Sequence, residues 1–237
     1  MAKGSHGDVL DQIGHRIVLG EPAPGEVITV ADLEAEYSVS RTVVREAVRV
    51  LESIGMVRSK RRVGLTVLPR ECWDSFDAHL IQWNLTGPGR QAQLESLIEL
   101  RLAVEPVAAR LAARRASADE SAELVRLSDT LDTLGQQKLG NSDQYLEVDV
   151  AFHSLLLASS GNPMFRTLTK PICEILRGRS ALGLTPAVPA PSVLADHLGA
   201  ALAIQRGESE AAEMHVRGYV ASIWQEVIRD PQPVVSP

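Results

Sequence analysis

Residues 38–67 read SVSRTVVREAVRVLESIGMVRSKRRVGLTV. Arg41, Arg45 and Arg49 recur every four residues, so they share one face of a helix predicted over Arg41–Ile54. The opposite stripe, Val43, Val44, Ala47, Val48 and Leu51, is apolar and suited to packing. Ser40 is placed to cap the start, and Gly55 to stop the end. After Gly55 the period changes. Met56–Ser59 and Val63–Leu68 flank a basic tip, Lys60-Arg61-Arg62, and alternation across a short turn predicts a β-hairpin.

Working back from this segment, Val9, Leu10, Ile13, Ile17 and Val18 form one stripe of a helix over 8–19. Residues 20–25 (GEPAPG) end it, and Glu26–Thr29 suits a short extended piece. Thr29 is a plausible cap for a helix over Val30–Tyr37, with Asp32 completing a near capping box. Helix, helix, turn, helix, hairpin is the plan of a winged helix-turn-helix.

Charge agrees with that plan. The whole chain is at −6, which argues against nucleic-acid binding taken alone. Residues 39–70, however, carry 8 basic and 2 acidic side chains, and residues 71–237 carry 14 and 21. An acidic body with one basic segment suits a protein that offers a single face to phosphate. An amphipathic helix with an arginine face fits the major groove, where guanidinium groups meet guanine edges. The DNA-contacting candidates are Ser40, Arg41, Thr42, Arg45 and Arg49 on the helix, and Lys60, Arg61, Arg62 and Gly64 on the wing. The bland reading of an arginine repeat is a solvated surface helix; the order of elements around it favours DNA.

Working forward, a linker helix is expected around Trp73–Leu85, ended by Gly87-Pro-Gly89. Beyond Gln91 the pattern is helical almost throughout, over 91–115, 117–136, 141–160, 162–182, 191–206 and 208–229. The fold class expected is mainly α: a winged helix-turn-helix domain (1–70), a linker helix (71–90) and an all-helical bundle for effector binding and dimerisation (91–230). Trp73, Trp83 and Trp224 are expected to pack the linker and the last helix against that bundle. Only two cysteines occur, Cys72 and Cys173, which suggests neither a disulfide framework nor a zinc knuckle. No apolar run approaches the roughly 20 residues of a membrane span, and MAKGSHGDVLDQ lacks a signal-peptide core. A cytoplasmic location is the expectation, with no membrane partner.

SVSRTVVREAVRVLESIGMV resembles the recognition helix of GntR-family transcription regulators, and the wing with Gly64 also matches. ELRLAVEPVAARLAARRA, DVAFHSLLLASSGNPMF and the run from Asp196-His197 to Gly207-Glu208 resemble the helical FCD ligand-binding domain of the FadR branch. Within that branch, WDSFDAHLIQWNL and VEPVAARLAARRAS are similar to repressors responsive to galactonate and related sugar acids. The resemblance implies a homodimer on near-palindromic double-stranded operator DNA, controlled by a small carboxylate effector such as galactonate or gluconate.

Asp149 and His153, four apart, share a helix face and can grip one divalent metal. With His197 they match three of the family's four metal ligands, and zinc is favoured because imidazole suits it. The fourth, normally a histidine, aligns with Tyr219; His215, one turn earlier, could substitute only with a shift of register. His15 and His79 stay unassigned. Arg101 and Glu105 also share a face, and the simple reading is a surface ion pair worth little. In the family the arginine at this position enters the cavity and pairs with the effector carboxylate. Arg101, Glu105 and Tyr219 are thus the effector-binding candidates, with Glu105 able to orient Arg101 instead. Two other functions remain open: a constitutive DNA-binding dimer, and a metal-dependent enzyme using Asp149, His153 and His197. No general base stands out for the enzyme, so a non-enzymatic role is expected.

Overall fold

The computed structural model describes residues 6–229. The outer bounds of the expected domains, residues 1–5 and 230, lie outside the described residues. The chain divides into two compact units at Arg90/Gln91.

The first unit contains α1 (His6–Val18), β1 (Val27–Ile28), α2 (Val30–Tyr37), α3 (Arg41–Ser53), β2 (Val57–Lys60), β3 (Gly64–Val67) and α4 (Ala78–Thr86). Thr29 caps α2 with a reciprocal capping box to Asp32, which satisfies two otherwise orphaned N–H groups. Ser38 then takes a left-handed conformation (φ 53°), which turns the chain toward Ser40, the cap of α3. The apolar side of α3, Val44, Ala47, Val48 and Leu51, is buried with Val9, Leu10, Ile13 and Ile17 of α1. Each such aliphatic side chain contributes roughly 1.5–3 kcal/mol on burial. The antiparallel sheet has the order β1-β3-β2, with Lys60 opposite Gly64 and Val57 opposite Val67. Gly64 is demanded here: its φ is +124°, and a Cβ would lie 2.7 Å from the Ile28 carbonyl oxygen.

The helix expected over Trp73–Leu85 begins later, at Ala78. Asp77 is the reason: its carboxylate accepts from the backbone N–H of His79 and Leu80 and fixes the start there. This helix packs on α1. Trp73 and Trp83 accordingly belong to the core of the first unit, and not to the helical bundle as expected. The Trp83 indole donates to Asp11 (3.0 Å), and its ring lies where a Gly14 side chain would be, 2.2 Å from an added Cβ. Gly14→Ala therefore tests the seating of Trp83. Helix propensity alone favours alanine by about 1 kcal/mol, but overpacking against a ring that cannot retreat costs typically 1–3 kcal/mol. A net loss of stability on thermal unfolding is expected; a gain would show that Trp83 is not seated on α1.

The second unit is helical throughout its described elements: α5 (Arg90–Arg115, its first residue at the boundary), α6 (Ala118–Gln136), α7 (Asp143–Ser159), α8 (Pro163–Thr167), α9 (Thr169–Ala181), α10 (Pro191–Arg206) and α11 (Ser209–Arg229). Ser117 and Glu120 form a second capping box at α6, and Pro163 occupies the first turn of α8. The single helix expected over 162–182 is broken at Leu168, which closes α8 and opens α9. Pro171 explains the break: within one continuous helix it could not donate to the Thr167 carbonyl, and its ring would clash there. Helices α6, α7, α9, α10 and α11 pack as neighbours, α10 against both α6 and α11. Among the described residues no helix is long and apolar enough to cross a membrane.

Candidate functional site

On the first unit, Ser40, Arg41, Thr42, Arg45 and Arg49 are all exposed, opposite the buried stripe of α3. Lys60, Arg61 and Arg62 are exposed at the hairpin tip, where Arg62 adopts φ 66°. The structure thus puts eight of the nine candidates on solvent-facing positions of one helix and one hairpin. Gly64, half-buried, shapes the hairpin against β1. Arg58 escaped the sequence reading; it is exposed on β2, two residues before Lys60 and so on the same strand face. The period of two was the signal available for it. The arginines differ in their surroundings. Arg49 is ion-paired with Glu46, and Arg41 lies 3.8 Å from Glu34. Among the described residues no ion pair engages Arg45.

In the second unit, four helices bring six side chains to one place: Arg101 and Glu105 from α5, Asp149 and His153 from α7, His197 from α10 and Tyr219 from α11. The Arg101–Glu105 pair is not at the surface: both side chains are 0% exposed. The guanidinium forks onto the carboxylate, Nε to Oε1 at 2.6 Å and Nη2 to Oε2 at 3.3 Å. Tyr219 donates to the same Oε2 (3.3 Å), and His153 Nδ1 lies 3.0 Å from it, too poorly aligned for a hydrogen bond. Burial pushes the Glu105 carboxyl upward, but Arg101 and then His153 outweigh it and hold the group well below the usual carboxylate range.

His153 Nε2 is shared, 3.4 Å from Asp149 Oδ1 and 3.2 Å from Arg101 Nη2. Burial lowers the His153 pKa, and Arg101 opposes its charge, yet Glu105 and Asp149 raise it overall. His197 behaves oppositely: burial dominates and pulls it down to about 4, so this ring is neutral. Its Nδ1 lies 2.7 Å from the Val193 carbonyl oxygen. A carbonyl can only accept, so Nδ1 carries the proton and Nε2 carries the lone pair. That lone pair is buried with no hydrogen-bond partner and faces Asp149 Oδ1 at 3.7 Å. Two acceptors face each other at this distance.

That arrangement fits a cation. Asp149, His153 and His197 offer ligand atoms within 4.8 Å of one another. A tetrahedral site with bonds of about 2.0–2.1 Å needs ligand separations of about 3.3 Å, close to the 3.4 and 3.7 Å found. The Val193 carbonyl already fixes the tautomer that leaves Nε2 for the metal. Tyr219 stacks on His197 at 4.2 Å between centroids and is engaged with Glu105, so it stands behind the ligands as a packing partner. His215 does not join the cluster: it bonds Asp196 (2.9 Å) and packs over Gly199, where a side chain would collide with its ring. The register shift that would have made it a ligand does not occur. Two more buried polar atoms of the cluster lack a hydrogen bond: His153 Nδ1, and Arg101 Nη1, a charged donor without an acceptor.

Comparison with known proteins adds the following. The "Bacterial regulatory proteins, gntR family" domain matches residues 6–67 and the "FCD domain" matches residues 96–222. The galactonate operon transcriptional repressor of Escherichia coli (strain K12) is 29% identical over 216 residues, spanning 89% of this chain and 91% of that protein. The HTH-type transcriptional regulator YieP of the same organism is 32% identical over 154 residues, 65% of this chain and just under two thirds (66%) of that protein. A solved structure described as "Lar controls the expression of the Listeria monocytogenes agr system and mediates virulence" covers 97% of this chain and 99% of its own, with 17% identity and a TM-score of 0.62, a likeness of fold.

Proposed function

This chain belongs to the gntR family of bacterial transcription regulators and carries an FCD domain, and from that premise we propose that it is a cytoplasmic repressor released from operator DNA by a small sugar acid. It binds as a homodimer, so its operator is near-palindromic. Arg41, Arg45 and Arg49 enter the major groove, with Ser40 and Thr42 on phosphate and Lys60, Arg61 and Arg62 over the backbone beside the wing. The effector occupies the buried cluster of the second unit.

The observation that carries the effector reading is two of the three orphaned atoms there, the His197 Nε2 lone pair and the Arg101 Nη1 donor; the third, His153 Nδ1, faces Glu105. A buried unsatisfied polar atom costs about 1–3 kcal/mol, more when charged. Both deficits are met if a divalent metal, zinc by the chemistry of the donors, binds Asp149, His153 and His197 while an effector carboxylate takes the free edge of Arg101. Such a metal would supply Lewis acidity toward the effector's oxygen atoms. Glu105 and Tyr219 act beneath, holding Arg101 and His197 in place. Galactonate is the first effector to test, since a relative aligned over most of its length is a galactonate operon repressor. The enzymatic alternative is set aside, because the matching domains and named relatives are regulators.

The test is thermal unfolding of the full chain with galactonate, gluconate, hexuronates and fatty acyl-CoA, with and without a chelator, beside operator binding followed by fluorescence anisotropy. Binding at 100 times Kd adds about 2.7 kcal/mol, which raises Tm by roughly 5–10 °C. A sugar acid should produce that shift, lose it on chelation and release the operator. A shift that survives chelation would remove the metal from the reading. Silence across the panel with intact operator binding would leave a constitutive DNA-binding dimer.

A further inference from the structure

Glu52 is an acidic residue on the side of α3 that carries Arg41, Arg45 and Arg49. It follows Arg45 by seven residues and Arg49 by three, so it continues the same face toward the end of the helix. Like the arginines it is exposed. A carboxylate left bare on that face would repel phosphate. Here it is engaged: Glu52 Oε1 accepts the backbone N–H of Ser59, on β2, at 2.7 Å. The sheet order β1-β3-β2 makes β2 an edge strand, and Ser59 directs its N–H to α3. Val57, at the base of β2, is buried, but Arg58, Ser59 and Lys60 beyond it are all exposed. Among the described residues this is the side-chain hydrogen bond that joins α3 to the hairpin. It falls immediately before the Lys60-Arg61-Arg62 tip.

We propose that Glu52 is a positioning residue for DNA binding: it braces the wing against the recognition helix, so that the tip cations reach phosphate while the arginines of α3 lie in the major groove. The inference rests on the reading of α3 and the wing as the DNA-contacting parts. The need for a brace is one of leverage. A strand rises about 3.3 Å per residue, so Arg61 lies about 13 Å beyond Val57, the last residue of β2 held in the core. Fixing Ser59 shortens the unsupported arm to about 7 Å, which halves the displacement of the tip for a given pivot. A hydrogen bond to a phosphate oxygen tolerates only a few tenths of an ångström, and a tip already in place loses less freedom on binding. The charge of Glu52 and its hydrogen bond act in opposite directions. Removing a negative charge beside DNA strengthens attraction, whereas removing the brace weakens contact. The acidic residue is therefore useful on this face only through the bond it makes.

The experiment is fluorescence anisotropy of the full chain on two labelled duplexes, one selected from random-sequence DNA by the unchanged protein and one unrelated, at three or more salt concentrations. Glu52→Gln and Glu52→Ala are each measured alone and in a wing-stripped background (Lys60→Ala, Arg61→Ala and Arg62→Ala together). Glu52→Gln keeps an acceptor for Ser59 and loses the charge, so it should bind the selected duplex at least as tightly as the unchanged protein. Glu52→Ala should bind it about 3- to 10-fold more weakly per half-site, the range for one lost hydrogen-bonding contact, with a salt slope shallower by about one. In the wing-stripped background that loss should vanish, because the brace then has no cations to place. Equal or tighter binding of the selected duplex by Glu52→Ala overturns the proposal and leaves Glu52 acting by charge alone. A loss in Glu52→Ala that Glu52→Gln shares, or that persists without the wing cations, also overturns it, since either marks damage to α3 itself. Unchanged binding of both duplexes by the wing-stripped chain overturns the wing as a DNA contact, a different result from a failure of Glu52 alone.

Discussion

Arg101→Met should destabilise the helical unit by about 3–5 kcal/mol, the range for breaking a buried ion pair from one side. The size follows from what is left behind. Glu105 is 0% exposed and receives both bonds of the Arg101 fork, with Tyr219 as a weaker donor and His153 close by. Without the guanidinium, its charge has only His153 to oppose it in a desolvated site. Arg101→Met with Glu105→Leu should recover about half of the loss, because no carboxylate then remains, although Tyr219 and His153 lose their acceptor. Urea denaturation of the two single variants and the double variant gives the coupling energy. A single-variant cost below about 1 kcal/mol would place the pair among surface contacts and remove it from the site.

The same variants carry a sign in pH. In the native protein the Glu105 pKa is lowered from its ordinary value of 4.5. Its contribution to stability is therefore fully present above that value and is lost as pH falls below it. In Arg101→Met the main lowering influence is gone and burial raises the pKa instead, so the variant protein is relieved as pH falls. The stability gap between native and variant chains should narrow from neutral pH toward pH 4. A gap that stayed constant would mean that Glu105 is not the group bearing the cost.

Arg45→Ala should have the largest effect on operator recognition while leaving the fold intact. Arg45 is exposed, and it projects from the face of α3 opposite Val44, Ala47, Val48 and Leu51, so its loss opens no cavity. Arg41 and Arg49 have acidic neighbours to exchange for DNA, whereas Arg45 has no ion pair to give up among the described residues. A base-reading arginine is worth about 1–3 kcal/mol of discrimination, so its loss should weaken operator binding by roughly 5- to 150-fold per half-site while affinity for unrelated DNA changes much less. Arg61→Ala, at the wing tip, should instead weaken both DNAs alike and lower the salt slope by about one. Anisotropy titrations at two or more salt concentrations separate the two patterns. Unchanged operator affinity in Arg45→Ala would end its assignment as a reader of bases.

The DNA-facing half was legible from sequence because its signals are local. The arginine repeat and apolar stripe of α3 are set by 3.6 residues per turn, and Thr29 with Asp32, or Ser117 with Glu120, cap their helices within four residues. Spacing likewise marked Asp149 with His153 and Arg101 with Glu105 as pairs sharing a face. It could not say that the second pair is buried, since α7 and α11 bring the neighbours that engage it. Nor could it seat Trp83 against Gly14 or engage His215 with Asp196. Periodicity and capping act between residues a turn apart, so the sequence alone determines them. Burial, tautomer and charge balance depend on partners tens of residues away, and only the packing of whole helices decides those.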